Sequence, residues 1–100
     1  MAKGYWLALV DVSDPESYKA YVAGIQDVFR KFGGRYVIRG GRCDVMEGRM
    51  PARTVVVEFP SYEAALACYR SVEYQASIEL RKGKATANIV AVEAFDPAQH

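Results

Sequence analysis

"RYVIRGGRCDVMEGRMPARTVVVEF", residues 35–59, carries the reading on which the fold turns. Its first half, "RYVIRGGRCDVMEG", and its last eight residues, "ARTVVVEF", are rich in β-branched and aromatic side chains, and "GRMP" between them is turn chemistry. Together they predict a hairpin with a loop of about five residues centred on Met50. That register sets Glu47 opposite Arg53, Asp44 opposite Val56 and Arg42 opposite Glu58. Directly opposed residues share a face, so Arg42, Asp44, Thr54, Val56 and Glu58 are expected on one side of the sheet, and Cys43, Val45, Val55 and Val57 on the other.

Inside the first strand stands "RGGR", Arg39 to Arg42. Glycines within a strand commonly mark a bulge, and one extra residue reverses the alternation that follows it. A bend at Gly40 and Gly41 brings Arg39 onto the same face as Arg42 and turns Tyr36 and Ile38 toward the other.

Outward from the hairpin the signals alternate. "GYWLALVDV", residues 4–12, is too short and too apolar for a surface helix and reads as a strand. Asp14 as N-cap and Pro15 at the first helical position open a helix whose apolar stripe is Tyr18, Tyr21, Val22, Ile25, Val28, Phe29 and Phe32, closed by Gly33 and Gly34. After Pro60, Ser61 caps a helix through Tyr62, Ala65, Leu66 and Tyr69, and Ser71 restarts a further helical piece. "TANIVAVEAF" is the last strand, followed by a frayed tail, "DPAQH". The order strand, helix, strand, strand, helix, strand predicts an α+β, ferredoxin-like βαββαβ plan with an antiparallel four-stranded sheet carrying both helices on one face. Residues 1–100 are expected to form one domain with a core from about 3 to 95.

A sheet covered on one face should alternate cleanly between apolar and polar residues. Here Tyr5, Leu7 and Leu9 alternate with Trp6, Ala8 and Val10, and the other strands are likewise apolar on both sides. The uncovered face predicts a homodimer packed sheet to sheet, since a twofold interface is self-complementary. Trp6 and the helix tyrosines are expected in the core, Cys43 and Cys68 as small core thiols, and Asn88 in an edge-strand hydrogen bond.

Composition narrows the function. Thirteen basic against twelve acidic residues give a net charge of +1, with no charge block to suggest nucleic acid or a membrane surface. No apolar run spans a bilayer and no signal-peptide pattern opens the chain, so a cytoplasmic location is expected. Phosphate-loop and dinucleotide fingerprints are absent, and one RGG in an apolar strand is no disordered RGG tract. The single histidine is His100, which argues against serine–histidine and cysteine–histidine catalysis and against a histidine metal site. No metal and no cofactor are expected.

The charged cluster on the uncovered face has two readings. It is an anion site, with Arg39 and Arg42 holding a carboxylate or enolate, Glu58 moving a proton, and Tyr69 and Tyr74 lining the wall. Alternatively it is a structural ion pair at the dimer seam.

"KGYWLALVDVSDPESYKAYV", "FGGRYVIRGGR", "VVVEFPSYEAALACYRSVEYQ" and "ANIVAVEAF" resemble the DUF1330 family of the dimeric α/β-barrel superfamily, from about Lys3 to Phe95. The resemblance implies a ferredoxin-like fold and a sheet-to-sheet dimer, and no assigned reaction. Cofactor-free monooxygenases, isomerases, haem degraders and stress-response barrels share the superfamily. Haem degraders use a helix histidine that this chain lacks. Two functions from different classes follow: a protein binding a small, partly apolar, anionic metabolite in a cavity between sheet and helices, as a cofactor-independent monooxygenase or isomerase, and a non-catalytic dimeric structural or stress-response module.

Overall fold

The computed structural model describes residues 2–51 and 53–98. The expected strand start at Ala52 and the end of the frayed tail, Gln99 and His100, lie outside the described residues. Seven elements follow one another: β1 (Gly4–Val12), α1 (Pro15–Lys31), β2 (Arg35–Arg39), β3 (Arg53–Phe59), α2 (Tyr62–Arg70), α3 (Val72–Arg81) and β4 (Ala85–Glu93). The strands form one antiparallel sheet in the order β2-β3-β1-β4. This is the ferredoxin-like α+β fold, with its second helix divided in two.

Local chemistry explains each boundary. The Asp14 carboxylate accepts from the Ser17 N–H at 3.2 Å, and Pro15 follows at the first helical position, where its missing N–H leaves no bond unmade. Ser61 and Ser71 cap α2 and α3 by accepting from the N–H groups of Ala64 and Tyr74 at 3.0 and 3.1 Å. Ser71 also donates to the Cys68 carbonyl, closing α2 as it opens α3. Gly4 lets β1 run beneath the start of α2: a Cβ there would stand 2.5 Å from the Ser61 carbonyl oxygen.

Two rows of paired residues define the helix-facing side. Tyr36, Val57, Trp6 and Ala91 run across all four strands, as do Arg39, Val55, Ala8 and Ile89. Trp6 anchors the core: its ring meets Tyr74 at 5.0 Å and Phe29 at 5.1 Å edge to face, and its indole N–H donates to the Ala65 carbonyl at 2.8 Å. Cys68 is wholly buried beside Ala65 and Tyr74, as expected. The opposite side carries the row Ile38, Val56, Leu7 and Val90, of which Leu7 is 41% exposed and Val90 55%. Asn88, on edge strand β4, donates to the Leu9 carbonyl at 3.2 Å, again as expected. No described helix is long and apolar enough to cross a membrane.

The hairpin departs from its expected register. β2 ends at Arg39, and residues 40–51 contain neither helix nor strand. Glu58 lies opposite Arg35, not Arg42, and Val56 opposite Ile38, not Asp44. The bulge falls between Tyr36 and Ile38, not at the glycines. Consequently Ile38 turns away from the helices and Arg39 turns toward them, each the reverse of the expectation. Cys43, expected in the core, is exposed. The physical reason is competition for β3. Its valines pair with "YVI", which has side chains to pack, rather than with "GGRCD", where glycines weaken a strand and Gly40 adopts a φ of 64° incompatible with one.

Candidate functional site

The helix-facing side does not close completely. Between α1 and the sheet lies an internal cavity of about 30 Å³, lined by apolar residues that include Trp6, Val10, Ile25, Phe29 and Val57 and by the polar residues Tyr18, Tyr21, Tyr36, Arg39 and Arg53. That volume holds a water-sized group. An open groove of about 550 Å³, floored by Val12, Pro15, Lys19 and Gln26, shares Tyr18, Val22, Arg39 and Arg53 with the cavity. Groove and cavity together thus form a small-molecule-sized recess whose junction is ringed by two guanidinium groups.

Strand alternation places both arginines there. Arg53 opens β3 in phase with Val55 and Val57 and pairs with Val10 on β1. Arg39 reaches the same side because the bulge at Val37 inverts the alternation. Arg39 stacks over the Tyr36 ring at 4.9 Å, and Arg53 sits 5.9 Å over Tyr18, contacts that steer the cations without neutralising them. The Arg53 Nε is buried and makes no hydrogen bond among the described residues. A buried, unsatisfied N–H on a cation is unfavourable, and an anion entering the junction relieves it.

Gly40 completes this arrangement. A Cβ at its position would stand 2.6 Å from Arg53 Nη1, and its φ of 64° strains any other residue. Its N–H donates to the Thr54 carbonyl at 2.9 Å, tying the end of β2 to β3. The glycine thus makes room for the Arg53 guanidinium; Gly41, with nothing near its own Cβ position, has no comparable part.

The phenols of the recess remain neutral. Burial raises the Tyr18 and Tyr36 hydroxyls above the ordinary tyrosine range, opposed by the nearby Arg53 and Arg39 respectively. Tyr21 is raised further by burial and by its 2.6 Å hydrogen bond with the Tyr74 hydroxyl. Among the described residues, the cavity and groove linings contain no carboxylate, histidine or cysteine. The recess is therefore equipped to hold an anion and to donate hydrogen bonds, and its own groups do not supply a base near neutral pH.

The expected site residues are dispersed. Arg39 stands at the recess, and Tyr74 lies wholly buried behind Tyr21. Tyr69 is 38% exposed at the end of α2, its ring 5.2 Å from Tyr74, beside a different depression. Arg42 sits on the exposed segment after β2 with Cys43 and Asp44. Glu58 is on the opposite side of the sheet, paired with Lys3 at 2.9 Å and Arg35 at 3.3 Å and accepting from the Tyr5 hydroxyl at 3.4 Å. The hydrogen bond from Lys3 and the charge of Arg35 hold its carboxyl below the usual glutamate range. The expected meeting of Arg39, Arg42 and Glu58 does not occur, because the strand register that would create it is not the one formed. Missed by that reading were Arg53, Tyr18, Tyr21 and Tyr36. Arg53 had a usable signal, being a cation in period with two core valines.

Comparison with known proteins supports the fold. The family described as "Domain of unknown function (DUF1330)" matches residues 3–95. A protein of unknown function from Rhodopseudomonas palustris superposes with a TM-score of 0.72 at 20% identity, covering 96% of this chain and 85% of the other. SnoaB, a cofactor-independent oxygenase from Streptomyces nogalater, gives a TM-score of 0.63 at 11% identity with full coverage of both chains (100% each). A dimeric ferredoxin-like protein of unknown function from Thermobifida fusca gives 0.59 at 10% identity, covering 93% and 92%. At these identities the likeness is one of fold. No curated protein matches the sequence.

Proposed function

The chain belongs to the DUF1330 family, and within that family we propose that it binds a small, partly apolar anion at the junction of cavity and groove, as a homodimer joined through the outer sheet face. The observation that carries this reading is the buried Nε of Arg53, without a partner among the described residues, beside Arg39 at the edge of a largely apolar recess. An arginine pair favours a planar, delocalised anion such as a carboxylate, enolate or phenolate. The apolar walls favour a flat hydrocarbon body. The chemistry that fits is cofactor-independent mono-oxygenation, by molecular oxygen, of a ligand that arrives already as its enolate or phenolate, with the arginines stabilising that anion. The fold shared with a cofactor-independent oxygenase supports that choice by analogy alone.

Support for the dimer comes from the exposed row of Ile38, Leu7 and Val90, with Val92 beside it, which is apolar and contiguous across four strands. Glu58 belongs to this face and is assigned a structural part there, as the partner of Lys3 and Arg35.

Benzoate is the simplest probe of the recess. In isothermal titration the wild-type chain is expected to bind it, and Arg53→Gln to bind it roughly tenfold more weakly, the effect of losing a charge-assisted hydrogen bond. Equal binding by both proteins removes Arg53 from the site. A second reading, a dimeric module without catalysis, is favoured by the pairing of Glu58 with Lys3 and Arg35, which gives that carboxylate a structural part on the outer face. Retention of the dimer with no benzoate binding selects that reading.

A further inference from the structure

Counting protons on the tyrosine pair beside the cavity assigns a second recognition element. Tyr21 lines the cavity; Tyr74 is wholly buried behind it, and their hydroxyl oxygens are 2.6 Å apart. Each phenol carries one proton, and one of the two lies in the bond between them. The other proton needs an acceptor. Among the described residues no carbonyl or carboxylate accepts from either hydroxyl. Arg81, whose guanidinium lies 5.5 Å over the Tyr21 ring, offers donors only.

Two arrangements remain. If Tyr21 donates to Tyr74, the Tyr74 proton is stranded in a site closed to solvent, and a buried donor left unmade is costly. If Tyr74 donates to Tyr21, the free proton belongs to Tyr21 and can face the cavity. The second arrangement strands nothing once an acceptor enters. We infer that the Tyr21 hydroxyl, held by Tyr74, is a hydrogen-bond donor that selects ligands carrying an uncharged carbonyl oxygen next to their anionic group. This inference rests on the anion-binding reading above and specifies the ligand: an aromatic or enone-like carboxylate or phenolate with a second, neutral oxygen. A cavity of about 30 Å³ admits a carbonyl-sized group and leaves the rest of the ligand in the groove.

The test compares phenylglyoxylate with 2-phenylacrylate, an isostere in which CH2 replaces the ketone oxygen. Wild-type protein is expected to bind the ketone more tightly by roughly two- to tenfold, the worth of one neutral hydrogen bond. Tyr21→Phe erases that preference. Tyr74→Phe retains a preference, because Tyr21 keeps its proton. Equal affinity of wild-type protein for both compounds, with Arg53→Gln still weakening both, overturns the assignment of Tyr21 and leaves the anion site standing. Failure of wild-type protein to bind benzoate or either of these compounds overturns both. The wild-type comparison decides even where a variant fails to fold, and thermal unfolding by circular dichroism identifies such variants.

Discussion

The position of one side chain, Arg53, separates a binding recess from an ordinary core. Its guanidinium occupies space that only a glycine at position 40 leaves open. Gly40→Ala is therefore expected to weaken benzoate binding about as much as Arg53→Gln, while Gly41→Ala leaves it unchanged; the comparison is made by titration on folded protein. The thiols offer a second check at this scale. Burial, with a smaller effect from Glu73, pushes the Cys68 thiol up to about 12, whereas Cys43 is exposed. A thiol reagent at mildly alkaline pH is expected to label Cys43 in the native chain and Cys68 only after denaturant is added, as read by intact mass. Glu58 gives a pH dependence with a definite sign. Its folded-state value is lowered, so its contribution to stability is complete above the ordinary glutamate value of about 4.3 and is lost as pH falls through the folded value. Glu58→Gln should flatten the acid limb of a stability profile in that window, while an unchanged acid limb would show that the pairs with Lys3 and Arg35 contribute nothing.

At the scale of elements, the helices were legible because their signals are local. Asp14, Pro15, Ser61 and Ser71 each stand where capping chemistry requires them, and the break between α2 and α3 is written in Ser71 alone. Ser71→Ala is expected to destabilise the chain by roughly 1 kcal/mol, lowering the midpoint of thermal unfolding by roughly 4–8 °C for a domain of this size. The hairpin was legible only in part. Two strands were evident in "RYVIR" and "RTVVVEF", but pairing register is a non-local property, and a slip of one residue exchanges the two faces. The bulge at Val37 has no glycine to announce it, so the sequence reading put the bend at Gly40 and sent Arg39 to the wrong side. Arg53 escaped notice for a related reason. Its parity with Val55 and Val57 was plain, but an arginine on a core-facing position was not read as a site without the cavity beside it.

For the whole molecule, the two sides of the sheet divide the work. The helix side contains the recess, and the outer side presents the row of Ile38, Leu7 and Val90 together with the Glu58 cluster. A chain of 100 residues buries a modest fraction of its surface on its own, and covering this face with a second copy adds to that burial. Leu7→Lys, at the centre of the row, is expected to halve the mass seen by light scattering without unfolding the monomer, and to leave benzoate binding in place because the recess is on the other side. Unchanged mass would place the interface elsewhere.

The anion site itself is tested most directly by nitrogen-15 NMR of the arginine side chains during addition of benzoate. The Arg53 Nε–H, buried and without a hydrogen-bond partner among the described residues, is predicted to shift downfield in a saturable manner, accompanied by Arg39. A saturable response at Arg35 on the outer face, with Arg53 unmoved, would contradict the account.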